Sequence, residues 1–189
     1  AYTDTTYYAL LGMLSKVGLT KNDVNIQAAG PAGVWQQFAS KKAVGMAGVP
    51  DWTVSAMDAG AQVDILPADV YFKSMAQAIL ASDETIQKNP QLIQKLVRAT
   101  IKGMKDIMAD PKAATKVYVE NVPAHKGKEA SVLNTFELYN KYVYAAQKVP
   151  GQMDENRLAE LQKFYVSNGV VPKEVPVKEL YTNQFVAGK

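Results

Sequence analysis

The sequence predicts an α/β chain, and three observations carry that prediction. In the first third, short apolar runs with strand-like alternation follow segments of helical period. Each change of period is punctuated by Gly, Pro or a cluster of small polar residues. From residue 82 onward the apolar period is almost entirely helical. Strands separated by helices at this spacing indicate a parallel sheet.

Taken in order, Thr3, Asp4, Thr5 and Thr6 stand before Leu10, Leu11, Leu14 and Val17, which predicts a capped helix over 5–18 stopped by Gly18. Residues 23–28 read as a strand, with Val24 and Ile26 on one side. Ala29-Gly30-Pro31-Ala32-Gly33 is a tight turn into a helix over 33–40, and Pro31 suits a helix start. A small-residue strand over 43–49 leads to Pro50-Asp51-Trp52, which opens another helix closed by Gly60. Residues 62–66 and 74–81 read as further strands.

Ser82-Asp83-Glu84 caps a short turn, and Asn89-Pro90 starts a long helix through Met108. Asp110-Pro111 breaks it and begins a helix over 113–120. A polar loop over 123–128 precedes a helix near 129–147, and a last helix spans 154–167. The proline-containing tail is expected to wrap the surface.

Composition excludes several classes. Twenty-one basic residues, of which only Arg98 and Arg157 are arginines, face 18 acidic ones for a net charge of +3. The basic residues are dispersed and not interleaved with aromatics, so no nucleic-acid partner is expected. There is no cysteine, which removes disulfides, thiol catalysis and Cys-based zinc sites. No apolar window is long enough to span a bilayer.

Catalytic constellations are equally thin. His125 is the sole histidine and lies in a polar loop, so no His pair can hold a metal. A Ser-His-Asp triad would need it, and no G-x-S-x-G elbow, P-loop or G-x-G-x-x-G occurs. Asp4 and Asp51 could serve as bases or ligand contacts, but both sit where Asp is favoured simply for capping. No catalytic residue, metal or cofactor is expected. The aromatics Tyr7, Tyr8, Trp35 and Trp52 fall close to helix starts; the alternative for Trp35 and Trp52 is that they are core anchors. Three strand-to-helix turns, at 3–6, 30–32 and 49–52, would line one edge of a parallel sheet, where ligands bind. Small backbone-exposing residues beside aromatics describe a pocket rather than an active centre.

The order of these features resembles the periplasmic substrate-binding proteins of ABC importers, in the NMT1/THI5-like (nitrate/sulfonate/taurine and thiamine-precursor) group. The likeness rests on Thr3-Asp4-Thr5-Thr6-Tyr7-Tyr8 with Val17-Gly18-Leu19, on Asp23-Val24-Asn25-Ile26, and on residues 39–50. It continues through Ala78-Ile79-Leu80-Ala81, Asn89-Pro90-Gln91-Leu92-Ile93 and Leu180-Tyr181-Thr182-Asn183-Gln184-Phe185. The resemblance implies a type 2 periplasmic-binding-protein-like two-lobe fold. Residues 1–66 would be the second lobe without its leading strand, 67–78 a hinge, and 79–189 the mainly helical C-terminal part of the first lobe. It also implies that the chain is part of a longer polypeptide, whose remaining N-terminal segment is a partner.

The implied function is extracytoplasmic capture of a small organic ligand (sulfonate, carboxylate, amide or pyrimidine) and its delivery to an ABC permease in the membrane. The implied ligand-binding set is Thr3, Asp4, Thr5, Thr6, Gly30, Pro31, Gly48, Val49, Pro50, Asp51 and Trp52. Tyr2-Thr3 replaces the family's usual Gly-Ser pair, and Gly48-Val49 replaces its aromatic or acidic residue before the proline. The rival functions are a thiamine-pyrimidine synthase-like enzyme, which relies on histidine and a cysteine-rich motif, and the ligand-sensing domain of a regulator.

Overall fold

The computed structural model describes residues 1–75 and 77–186, and they form helices joined by irregular segments. The chain divides into two units, Ala1–Ala76 and Gln77–Lys189. The first contains α1 (Thr5–Lys16), α2 (Gly30–Ala39), α3 (Pro50–Asp58) and α4 (Ala68–Tyr71). The second contains α5 (Asp83–Lys88), α6 (Pro90–Ala109), α7 (Pro111–Asn121), α8 (Glu129–Tyr139) and α9 (Glu155–Ser167).

The expected α/β sheet, and with it the type 2 two-lobe fold, is overturned: no strand occurs among the described residues. Segments 23–28, 43–49 and 62–66 lack regular structure instead, and no backbone ladder bond joins them. Apolar alternation identifies chain able to pair, but a strand exists only when a neighbour answers its N–H and C=O groups. Of the fourth expected strand, 74–81, Ala76 lies outside the described residues and the remainder is not a strand. The apolar side chains meant for a sheet face water: Val44 is 107% exposed, Leu80 90% and Leu66 68%.

Helix boundaries follow local chemistry closely. Asp4 caps α1, and at its other end the Leu19 N–H closes on Leu14 O at 2.9 Å beside Gly18. α2 starts three residues earlier than the periodicity predicts, because Gly30 takes φ +71° and lets the chain turn directly onto Pro31. Ser82, Asp110 and Asp154 cap α5, α7 and α9 through first-turn N–H groups. The long element expected near 129–147 is broken. α8 ends at Tyr139, and Asn140–Tyr144 forms a π turn.

In the first unit α2 packs on α3 and α1 on α4. Gly12 is buried because the Phe72 ring lies on it; a Cβ there would fall 2.4 Å from Phe72 Cγ. Val54 and Ala56 are the buried apolar side chains of this unit among the described residues.

The second unit packs α6 against α7 and α7 against α8, with Ile93, Val119, Val132, Leu161 and Phe185 buried. Three side-chain amides fasten its C-terminal tail. Gln162 exchanges two bonds of 2.9 Å with the Val175 backbone, Asn183 exchanges two with Met153, and Gln94 donates to Phe185 O at 3.0 Å. Asn140 Nδ2 donates to Ile107 O at 2.9 Å, answering a carbonyl left open in the last turn of α6. Its own Oδ1 is buried without a partner.

Candidate functional site

The residues singled out from the sequence fall at three helix starts of the first unit. At α1, Asp4 Oδ1 accepts the Thr6 N–H at 2.8 Å and the Thr6 hydroxyl at 2.7 Å. The backbone N–H, and then the hydroxyl, hold the Asp4 carboxyl below its ordinary pKa. Asp4 is therefore a committed, anionic cap, and Thr6 is its partner. Thr3 is exposed and Thr5 half-buried.

α2 and α3 start differently. Ala29 precedes α2 and Val49 precedes α3, and neither supplies a capping side chain. The first-turn N–H groups there, with the positive end of the helix dipole, suit a carbonyl or an anionic oxygen. Pro31 and Pro50 each remove one such donor. Asp51 lies exposed in the first turn of α3, where its charge complements the dipole. Trp52 is half-buried and folds back over Gly48, with Cε3 3.3 Å from the place of an added Cβ. Trp35 is half-buried in α2.

Besides the packing of α2 on α3, a long-range hydrogen bond ties two of these regions. The Tyr2 hydroxyl donates to Ile26 O at 3.1 Å, linking the lead-in of α1 to the segment before α2. Tyr2 also meets Tyr7 edge-to-face at 5.3 Å, and Tyr7 meets Tyr8 at 5.5 Å. Sequence reasoning left Tyr2 out of the candidate site. The available signal was an aromatic residue two positions before a cap, five and six residues ahead of two more.

Other features of the described residues are separate from these starts. An open groove of about 390 Å³ between α7 and α8 is lined by Lys112, Lys116, Val119, Glu120, Glu129 and Leu133, among others. A second, of about 370 Å³, lies along residues 87–92. Neither includes a residue of the three helix starts. His125 sits in a 3-10 turn (Pro123–His125) of the second unit and packs edge-to-face on Tyr118. No group of three or more metal-ligating side chains occurs among the described residues, and no helix there is long and apolar enough to cross a membrane.

Comparison with known proteins gives these helix starts a context. The sequence model described as NMT1/THI5 like matches residues 1–114, which takes in all three. The chain belongs to the NMT1/THI5-like family. Among relatives of this family member, the riboflavin-binding protein RibY of Chloroflexus aurantiacus is 27% identical over 187 residues. The alignment covers 97% of this chain and 53% of the relative, so the chain spans about half of that protein's length.

Proposed function

We propose that this NMT1/THI5-like chain belongs to an extracytoplasmic solute-binding protein that captures a flavin-class ligand and presents it to an ABC permease. The carrying observation is the alignment of 97% of the chain with a riboflavin-binding protein. The first unit has the chemistry such a ligand requires. Two helix starts without side-chain caps offer N–H donors to ring carbonyls, and aromatic side chains stand beside the helix starts.

The proposed contact set is Thr3, Asp4, Thr5 and Thr6 at α1, Gly30 and Pro31 at α2, and Gly48, Val49, Pro50, Asp51 and Trp52 at α3. Within it, Asp4 and Thr6 bond each other at the start of α1, while Thr5 offers its hydroxyl. Riboflavin joins the amide and pyrimidine chemistries in one ring system. Sulfonates and carboxylates fit less well beside the Asp4 carboxylate, since like charges repel. A synthase reading draws no support from the residues, because the chain has no cysteine and its one histidine packs on Tyr118.

Calorimetric titration of the full-length protein that contains this chain with riboflavin, taurine and acetate tests the proposal. Riboflavin alone should give saturable heat. Thr5→Ala should weaken it while leaving the ligand-free melting curve close to wild type, and Trp52→Ala should weaken it more. Binding of taurine but not riboflavin would overturn the ligand class.

A further inference from the structure

The last turn of α9 closes on a dipeptide with chemistry of its own. Asn168 and Gly169 are the only Asn-Gly pair in the sequence. In such a pair no side chain on the second residue hinders its backbone nitrogen from attacking the Asn carboxamide. Both reacting groups belong to adjacent residues, so the reaction needs water and no other partner.

The structure holds both groups at the helix end. Gly169 takes φ +68°, its N–H donates to Val166 O at 3.0 Å, and the Val170 N–H donates to Tyr165 O at 2.8 Å. These are the two bonds of a Schellman closure. The Asn168 Nδ2 group, which would leave, donates to Phe164 O at 2.8 Å and to Ser167 Oγ at 3.3 Å. Asn168 has ψ 7°. At that angle the Gly169 nitrogen nearly eclipses the Asn168 nitrogen, whereas a five-membered ring through Cγ needs it on the Cβ side. Rotation about the Cα–C bond must come first, and it pulls the Gly169 N–H away from Val166 O.

We propose that Asn168 is a spontaneous deamidation and isomerisation site, latched by the Schellman closure of α9. When the last turn opens, the Gly169 nitrogen gives its proton to water or hydroxide and bonds to Asn168 Cγ. The Cγ–Nδ2 bond breaks, and the departing nitrogen takes a proton from water to become ammonia. Water then adds to one carbonyl of the cyclic imide. Opening at Cγ gives Asp; opening at the backbone carbonyl gives isoaspartate, with the chain running through the side chain. The net change is Asn and water to Asp or isoaspartate and ammonia, without oxidation or reduction.

Either product disables the latch. A carboxylate has no N–H for Phe164 O, and its charge stands at the negative end of the α9 dipole. Isoaspartate also adds a methylene to the backbone ahead of Gly169, so the closure bonds lose their register. The stretch released leads to Val175, where the two bonds to Gln162 are the next hold on α9.

The full-length protein that contains this chain tests the site when incubated at mildly alkaline pH, folded and, in parallel, unfolded in guanidinium chloride. Peptide mapping follows Asn168 by the mass gained when NH2 becomes OH. The unfolded protein should convert faster by about tenfold or more, because the latch admits reaction only through local opening. Equal rates would overturn the latch. Val170→Pro removes one closure donor and should speed conversion in the folded protein by about fivefold. An unchanged rate in that variant would overturn the Schellman closure as the controlling element. Asn168→Asp installs one product directly, and limited proteolysis should cut residues 170–175 about threefold faster than in wild type. Unchanged cleavage would overturn the claim that conversion releases this stretch.

Discussion

The units Ala1–Ala76 and Gln77–Lys189 are both built from helices, yet they hold themselves together by different means. In the second, apolar contact is backed by side-chain amides that reach the backbone over long sequence separations: Gln162 to Val175, Asn183 to Met153, Gln94 to Phe185 and Asn140 to Ile107. In the first, the buried side chains Val54 and Ala56 lie on α3, α1 and α4 meet through Gly12 and Phe72, and three segments carry no ladder bonds. A unit fastened by many directional bonds resists local opening; one resting on a few apolar contacts opens more readily. Low local stability is also where binding surfaces tend to lie. The proposed ligand residues are all in the first unit.

That contrast can be broken at its narrowest contact. Gly12→Leu should destabilise the first unit by about 3 kcal/mol, the upper end of overpacking penalties, because Phe72 must leave the α1 surface. Hydrogen exchange should show α1 and α4 losing protection while α6 to α8 keep theirs. Partial restoration by Phe72→Leu would identify the clash as the cause; uniform loss of protection in both units would refute the separation.

Removing a staple sharpens the other side of the comparison. Gln162→Leu leaves the Val175 N–H and C=O without the partner that α9 provides and should cost about 2 kcal/mol. Limited proteolysis should then cut the tail near residue 175 faster than in wild type. An unchanged cleavage rate would show that Phe185 and Asn183 suffice to hold it.

Asp4→Ala removes the α1 cap and should cost about 1 kcal/mol, seen as fraying of the first turn of α1 in hydrogen exchange. The pH dependence follows from the direction of the shift. The Asp4 pKa is lowered by folding, so its contribution is fully present above the ordinary value of 3.8. It is lost as pH falls through the lower folded value. Wild-type α1 should therefore loosen below about pH 4, and the alanine variant should lose the part of that dependence due to Asp4.

The smallest effect belongs to the exposed pair Lys102–Asp106, at 2.6 Å on α6. Lys102→Ala should change the melting behaviour by no more than about 0.5 kcal/mol. A larger loss would mean that the second unit depends on surface charge as well as on its amide staples.

Legibility in the sequence tracked the range of the interaction involved. Caps were legible because they act over two or three residues: Asp4 and Ser82 accept first-turn N–H groups, as their positions predict. The proline starts at Pro50, Pro90 and Pro111 were legible for the same reason. The strands were not, because the alternation of Val24 and Ile26 records suitability for pairing and contains no partner. The break at Asn140 was also hidden. It is stabilised in part by a bond to Ile107, 33 residues away, for which the local period has no symbol. Of the candidate site, the helix starts were readable, whereas the bond of Tyr2 to Ile26 O, across 24 residues, was not.

By itself the sequence determined the capped and proline-led helix starts, the absence of thiol chemistry, and the family to which the chain belongs. Each follows from residue identity or from interactions closed within one helical turn. Only the tertiary structure decided that the apolar runs remain unpaired, that the tail is stapled by amides, and that the Tyr2 hydroxyl meets Ile26 O. Those outcomes depend on which distant groups come within hydrogen-bonding distance, and pairing between distant groups is a property of the folded chain.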